Sequence, residues 1–113
     1  MAIILVKDRL SKKDFQKSKE DYKSYIKLTI DIKQQKVALG GEYHADTEKK
    51  LLDQGSRQEN IWGGGVNLET KQIETNAIIN IRAGKNDTFE ILNPQTRKKF
   101  LKIAKEILKD HVK

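Results

Sequence analysis

Aliphatic and polar residues alternate most cleanly along Ile26-Lys27-Leu28-Thr29-Ile30-Asp31-Ile32. A period of two sends successive side chains to opposite faces of an extended backbone, so this stretch predicts a strand with one face on a core and one nearer solvent. The short aliphatic run Ile3-Ile4-Leu5-Val6 reads as an earlier strand. Between the two, Ser11 stands three residues before Asp14, an N-cap with a capping-box-like partner. It predicts a helix to about Tyr25, with Phe15, Tyr22, Tyr25 and Ile26 as its inward stripe. Beyond Ile32, the polar turn Lys33-Gln34-Gln35-Lys36 leads into Val37-Ala38-Leu39, a third strand antiparallel to the second because the connection is so short. That strand either stops at Gly40-Gly41 or passes through them with a bulge. Asp46 then reads as the N-cap of a short helix through Leu51 and Leu52 to Gly55, a residue suited to the left-handed C-terminal position.

Residues 60–68 and 72–82 predict two strands joined at Glu69-Thr70-Lys71. In the second, Ile73, Ala77, Ile79 and Ile81 form one apolar face, while Asn76, Ile78, Asn80 and Arg82 form a more polar one. Thr88 to Leu92 reads as a last strand. Asn93 as N-cap and Pro94 as first helical residue open a C-terminal helix, with Phe100, Ile103, Ala104, Ile107, Leu108 and His111 or Val112 at helical spacing. The resulting order, β-α-β-β-α-β-β-β-α, predicts one domain over residues 1–113. Its class is α+β, a two-layer arrangement of a largely antiparallel mixed sheet with the helices packed on one face.

Charge changes this picture less than the net value of +7 implies. Residues 1–30 carry 8 Lys and Arg against 4 Asp and Glu, and residues 94–113 carry 7 against 2. Residues 31–93 carry 8 against 10, so the basic excess lies in terminal segments assigned largely to helices. A lysine-rich helix face is commonly just a solvated face, and phosphate-backbone binding needs the charges gathered on one side of the fold. Charge reversal at Lys98, Lys99 and Lys102 would test it. Nucleic acid therefore ranks behind a small ligand or a protein as the expected partner. The chain has no cysteine, which excludes disulfides, a thiolate nucleophile and cysteine-ligated zinc or iron-sulfur centres. The N-terminal aliphatic run meets Lys7 too soon for a signal-peptide core or a membrane span, so no membrane association and a cytoplasmic location are expected.

Candidate chemistry gathers in two polar segments. In Gly40-Gly41-Glu42-Tyr43-His44-Ala45-Asp46, three groups capable of acid-base or metal chemistry recur at every second position. On an extended strand they would point the same way, about 6.6 Å apart. A metal reading takes Glu42, His44 and Asp46 as ligands of a divalent ion, the one cofactor the pattern admits, although an N-cap role would withdraw Asp46 from it. An acid-base reading makes His44 the proton carrier, with Glu42 or Glu59 orienting its ring and Arg82 stabilising an anion. The second segment, Arg57-Gln58-Glu59-Asn60-Ile61-Trp62, runs into Gly63-Gly64-Gly65 and supplies Arg57, Gln58, Asn60 and Trp62 as further ligand-binding candidates. Trp62 before three glycines also fits an aromatic lying over a flexible loop. The plainest alternative is that Glu42, His44, Gln58, Asn60 and Asn80 satisfy backbone groups at strand ends while Trp62 covers the core.

Through Gly40-Gly41-Glu42-x-His44-Ala45-Asp46, Gly55-Ser56-x-Gln58-Glu59-Asn60-Ile61-Trp62-Gly63 and Ile79-Asn80-Ile81-Arg82, the chain resembles a family of small prokaryotic proteins classed as a domain of unknown function. It departs from that pattern in carrying Ala83 after the arginine. The resemblance implies a stand-alone prokaryotic domain and no particular mechanism. The leading expectation is a small binding or interaction module with a polar site at Glu42, His44, Asp46 and residues 58–62. A small hydrolase or metal-dependent enzyme using His44 is its rival.

Overall fold

The structure is a computed structural model and describes residues 3–7, 9–19 and 24–112. Its strands are β1 (Ile3–Val6), β2 (Tyr25–Asp31), β3 (Lys36–Gly40), β4 (Ile61–Asn67) and β5 (Gln72–Glu74). The helices are α1 (Lys12–Ser18), α2 (His44–Asp53) and α3 (Pro94–Leu108), with 3-10 turns at Gln58–Asn60 and Ile78–Asn80. The strands form one sheet in the order β1-β3-β2-β4-β5, antiparallel at every pairing. The α+β class, the antiparallel sheet and the expected order of elements hold, with five strands where six were expected.

Local chemistry explains the well-placed elements. Ser11 caps α1 by accepting from the Asp14 amide at 3.1 Å. Asn93 caps α3 by accepting from the Gln95 and Thr96 amides, and Pro94 fixes the first helical residue. Asp31 folds the β2–β3 turn by accepting from the amides of Lys33 and Gln34. At the end of α2, Gly55 (φ 93°) donates to the Leu52 carbonyl and Ser56 donates to that of Leu51, a Schellman closure in which the glycine supplies the left-handed residue.

The sheet is covered on both faces, which differs from the two-layer expectation. Ile26, Leu28 and Ile30 of β2, Val37 and Leu39 of β3, and Val66 of β4 pack against Phe15 of α1 and against Phe100, Ala104, Ile107 and Leu108 of α3. Thr29 pairs in register with Ala38, so both lie on the opposite face, and there α2 sits. Leu51 packs on Ala38 and Ile61, and the Thr29 and Thr47 hydroxyls hydrogen-bond each other. That face carries threonine, alanine and glycine, and small residues let the helix backbone come close. Alternation in β2 thus marks two buried faces of different texture, not a wet one and a dry one: Thr29 and Asp31 are as buried as Ile30.

Other boundaries shift for identifiable reasons. Helix α1 ends at Ser18, whose hydroxyl donates back to the Phe15 carbonyl, and Tyr25 and Ile26 belong to β2. Tyr22 lies outside the described residues. The glycine run is central strand, not flexible loop. A Cβ on Gly63 would stand 2.7 Å from that of Ala77, and one on Gly64 would meet Phe100 at 2.8 Å and the Glu74 carbonyl closer still. Strand pairing after Gln72 stops at Glu74, and Thr88 to Leu92 contributes only the isolated bridge between Asn76 and Glu90. In the segment between, Asn80 of the expected polar face is fully buried and Ile81 of the expected apolar face is exposed, the reverse of expectation, while Ile78 is exposed with the polar face to which it was assigned.

Candidate functional site

Gly40 and Gly41 take positive φ, 86° and 82°, and turn the chain off the end of β3. Helix α2 therefore begins at His44, with Tyr43 in the N-cap position and no side-chain cap. This removes the two-residue spacing on which convergence of Glu42, His44 and Asp46 depended. Glu42 is exposed, and Asp46 sits half-buried in the first helical turn, where a carboxylate complements the helix dipole without capping it. Among the described residues, no three His, Asp or Glu side chains come together in a way that could hold a metal ion. The donor set proposed for a divalent cation is therefore not assembled.

His44 turns its ring onto the sheet, where Nε2 lies 2.6 Å from the Gly64 carbonyl. A carbonyl only accepts, so Nε2 carries the proton and Nδ1 is the free nitrogen of the neutral ring. Burial lowers the imidazole pKa, the Gly64 bond partly opposes this, and the Lys27 ammonium lowers it further. The ring is thus neutral at pH 7 and ties the start of α2 to the middle of β4. Thr47 reinforces the same turn by donating to the His44 carbonyl at 2.8 Å. Nearby on this face, the Tyr25 ring lies over Gly65, and the Glu74 carboxylate acts on its hydroxyl. Burial, aided by Glu74, pushes the Tyr25 phenol up to about 12.

The second polar segment splits in two. Arg57 and Glu59 form a solvent-exposed ion pair at 3.5 Å, and Gln58 is exposed beside them. Asn60 lends its carbonyl to the Ile32 amide. Trp62 instead packs on the core with the Arg82 guanidinium 3.9 Å above its ring, a cation–π contact. Arg82 also donates to the carbonyls of Glu59 and Ile61. Glu48, four residues after His44 on α2, acts on Arg82 through its charge. Burial raises the Glu48 pKa and Arg82 pulls it back, while burial lowers that of Arg82. The structure therefore joins Arg82, Trp62 and Glu48. It leaves Arg57 and Gln58 at the surface and engages His44 elsewhere. Glu48 was missing from the sequence reading, although the i, i+4 relation to His44 was its signal.

The strongest electrostatic feature lies on the other side of the sheet. Helix α3 with its C-cap carries Arg97, Lys98, Lys99, Lys102, Lys105 and Lys109 against the single carboxylate of Glu106. Lys98, Lys102, Lys105 and Lys109 recur at intervals of four, three and four, which aligns them as one exposed ridge about 16 Å long opposite the buried Phe100–Ala104–Ile107 stripe. On this ridge Lys109 pairs with Glu106 at 2.8 Å, and among the described residues Lys98, Lys102 and Lys105 have no carboxylate partner. Beside it, Lys7, Lys33, Lys99 and Lys102 rim a depression of about 680 Å³ floored by Ile32, Ile103 and Ile107. The α2 side differs, with Asp46, Glu48 and Asp53 against Lys49 and Lys50. Lys105 and Lys109 complete a row of which the sequence reading had named only Lys98 and Lys102 with the neighbouring Lys99.

No helix among the described residues is long and apolar enough to cross a membrane. No curated protein and no solved structure matches the chain. A family model described as "Protein of unknown function (DUF5674)" matches residues 4–107, and the chain belongs to that family.

Proposed function

We propose that this protein is a binding module whose α3 face engages the phosphate backbone of a nucleic acid. The observation that carries this reading is the ridge of Lys98, Lys102, Lys105 and Lys109, with Lys7, Lys33 and Lys99 gathered beside it. On a ridge of about 16 Å the lysines stand about 4.5–6 Å apart along the helix axis, which sets four charges in a row against a phosphate backbone. Lysines are point charges, and the ridge bears no aromatic side chain for stacking on bases. Such a surface contacts phosphates rather than base edges, so binding is expected to be tolerant of sequence and steeply sensitive to salt.

The polar segments support a small-ligand or catalytic reading less well. His44, Arg82 and Trp62 are committed to the Gly64 carbonyl, the Glu59 and Ile61 carbonyls, and the core, and among the described residues none of their side chains is hydrogen-bonded to a nucleophile. The test compares two variants of equal charge change. Lys98→Glu with Lys102→Glu should lower affinity for a fluorescein-labelled DNA or RNA duplex at least tenfold. Lys49→Glu with Lys50→Glu on α2 should change it less than threefold. Equal losses in the two variants would reduce the effect to net charge and contradict a dedicated face.

A further inference from the structure

Residues 75–92 form an irregular segment along the edge of β4, and two asparagines hold it from within. The Asn80 side chain bonds Gly63 through both its atoms and also donates to the Phe89 and Thr75 carbonyls. Asn86 donates to the carbonyls of Asn80, Thr88 and Glu90 and accepts from the Leu92 amide. Both are buried to within 2% of full burial. Such a loop has its conformation fixed before any encounter, so association there loses little further entropy.

This rigid frame points aliphatic and aromatic side chains into solvent. Ile78 is 74% exposed, Phe89 55% and Ile81 45%, and Leu92 is exposed beside them in sequence. The Ala77 amide donates to the Phe89 carbonyl, so the backbone next to Ile78 is joined to that of Phe89. Single exposed aliphatics are ordinary, whereas a group of them on a preorganised support marks an association surface.

The charges of the segment identify the occupant. Arg82 and Lys85 are balanced by Asp87 and Glu90, so a molecule of net charge +7 has here a neutral surface. Two copies repel at the α3 face but not at this one. A two-fold contact also demands a patch complementary to itself, and exposed Lys85 together with exposed Asp87 and Glu90 meets that demand across the axis. We infer that residues 75–92 form the interface of a symmetric homodimer, built on Ile78, Ile81 and Phe89 with Lys85 facing the acidic pair of the other copy. This inference is independent of nucleic-acid binding.

Sedimentation equilibrium of the full chain at about 10–100 µM tests it. Wild type should have twice the 13.0 kDa chain mass. Ile78→Asp and Phe89→Asp should shift the dissociation midpoint at least tenfold toward monomer while keeping the far-ultraviolet circular dichroism of wild type. Lys85→Glu, at an exposed turn position whose side chain makes no hydrogen bond or ion pair among the described residues, should weaken the dimer several-fold and serves if either apolar replacement misfolds. A wild type that is monomeric throughout this range overturns the inference. So does a dimer that all three variants leave intact.

Discussion

Asn80 pairs with Gly63 as a strand residue would, except that it uses its side chain: Oδ1 accepts from the Gly63 amide at 2.8 Å and Nδ2 donates to the Gly63 carbonyl at 2.9 Å. Two residues along, Arg82 donates to the Ile61 carbonyl on the same edge of β4. Side chains thus continue, beyond Glu74, the pairing that β5 begins. This closes an edge whose backbone groups would otherwise be buried without partners.

Replacing Asn80 should therefore be among the most damaging single changes in the chain. Asn80→Ala strands the amide and carbonyl of Gly63, each at roughly 1–3 kcal/mol, and leaves the Phe89 carbonyl with the Ala77 amide alone, so a loss of about 3 kcal/mol or more is expected. Asn80→Asp keeps the acceptor for the Gly63 amide but sets a carboxylate oxygen against the carbonyls of Gly63, Thr75 and Phe89, so it should not rescue. Urea denaturation with an unchanged m value checks both. A loss below about 1 kcal/mol for Asn80→Ala would remove this edge from the account of stability.

Two glycines should respond to alanine differently in size. At Gly64 a Cβ meets the Phe100 ring at 2.8 Å and the Glu74 backbone, neither of which can yield cheaply. Gly64→Ala should lose about 3 kcal/mol or more. At Gly55 nothing lies within 4 Å of a new Cβ, so only the positive φ of 93° opposes it. Gly55→Ala should lose roughly 1–2 kcal/mol. Denaturation midpoints of the two variants side by side give the comparison.

His44 predicts a pH dependence with a definite sign. Its folded pKa lies below the ordinary value of 6.5, because burial penalises the charged ring. At pH 7 and above, both folded and unfolded states are neutral there, and its contribution is complete. As pH falls below about 6.5 the unfolded chain takes up the proton first, and stability is lost until the folded pKa is passed. Thermal midpoints measured from pH 7.5 to 5 should fall more in wild type than in His44→Gln. Glutamine keeps a donor for Gly64 but does not titrate.

Much of this architecture was legible in the residues. Ser11, Asn93 and Pro94 announced helix starts through local capping chemistry, and Gly55 announced a helix end. The alternation from Ile26 to Ile32 announced the central strand. What escaped depended on contacts distant in sequence. Asp46 looked like a cap, but the glycine pair at 40–41 turns the chain early enough for the helix to start at His44, which reaches Gly64 twenty residues away. The polar face of β2 looked wet because nothing in its own sequence tells that α2 returns to cover Thr29. Ile81 looked like core and Asn80 like surface because alternation was extended through a stretch that Asn80 and Asn86 hold out of strand geometry. The charge segregation was half visible: helical spacing aligned the lysines of α3, but their separation from the acidic residues of α2 by the whole sheet required the fold.

The reading that joins these parts is that the α3 ridge, and not the polar cluster at His44, is the working surface. Fluorescence anisotropy of a labelled 20-base-pair duplex, titrated with protein at salt from about 50 to 300 mM, addresses it most directly. With three or four lysines each neutralising a phosphate, log K should fall against log salt with a slope of about −3 to −4. The Lys98→Glu, Lys102→Glu variant should reduce that slope by about two. No measurable binding at 50 mM salt, or a slope near zero, would contradict it.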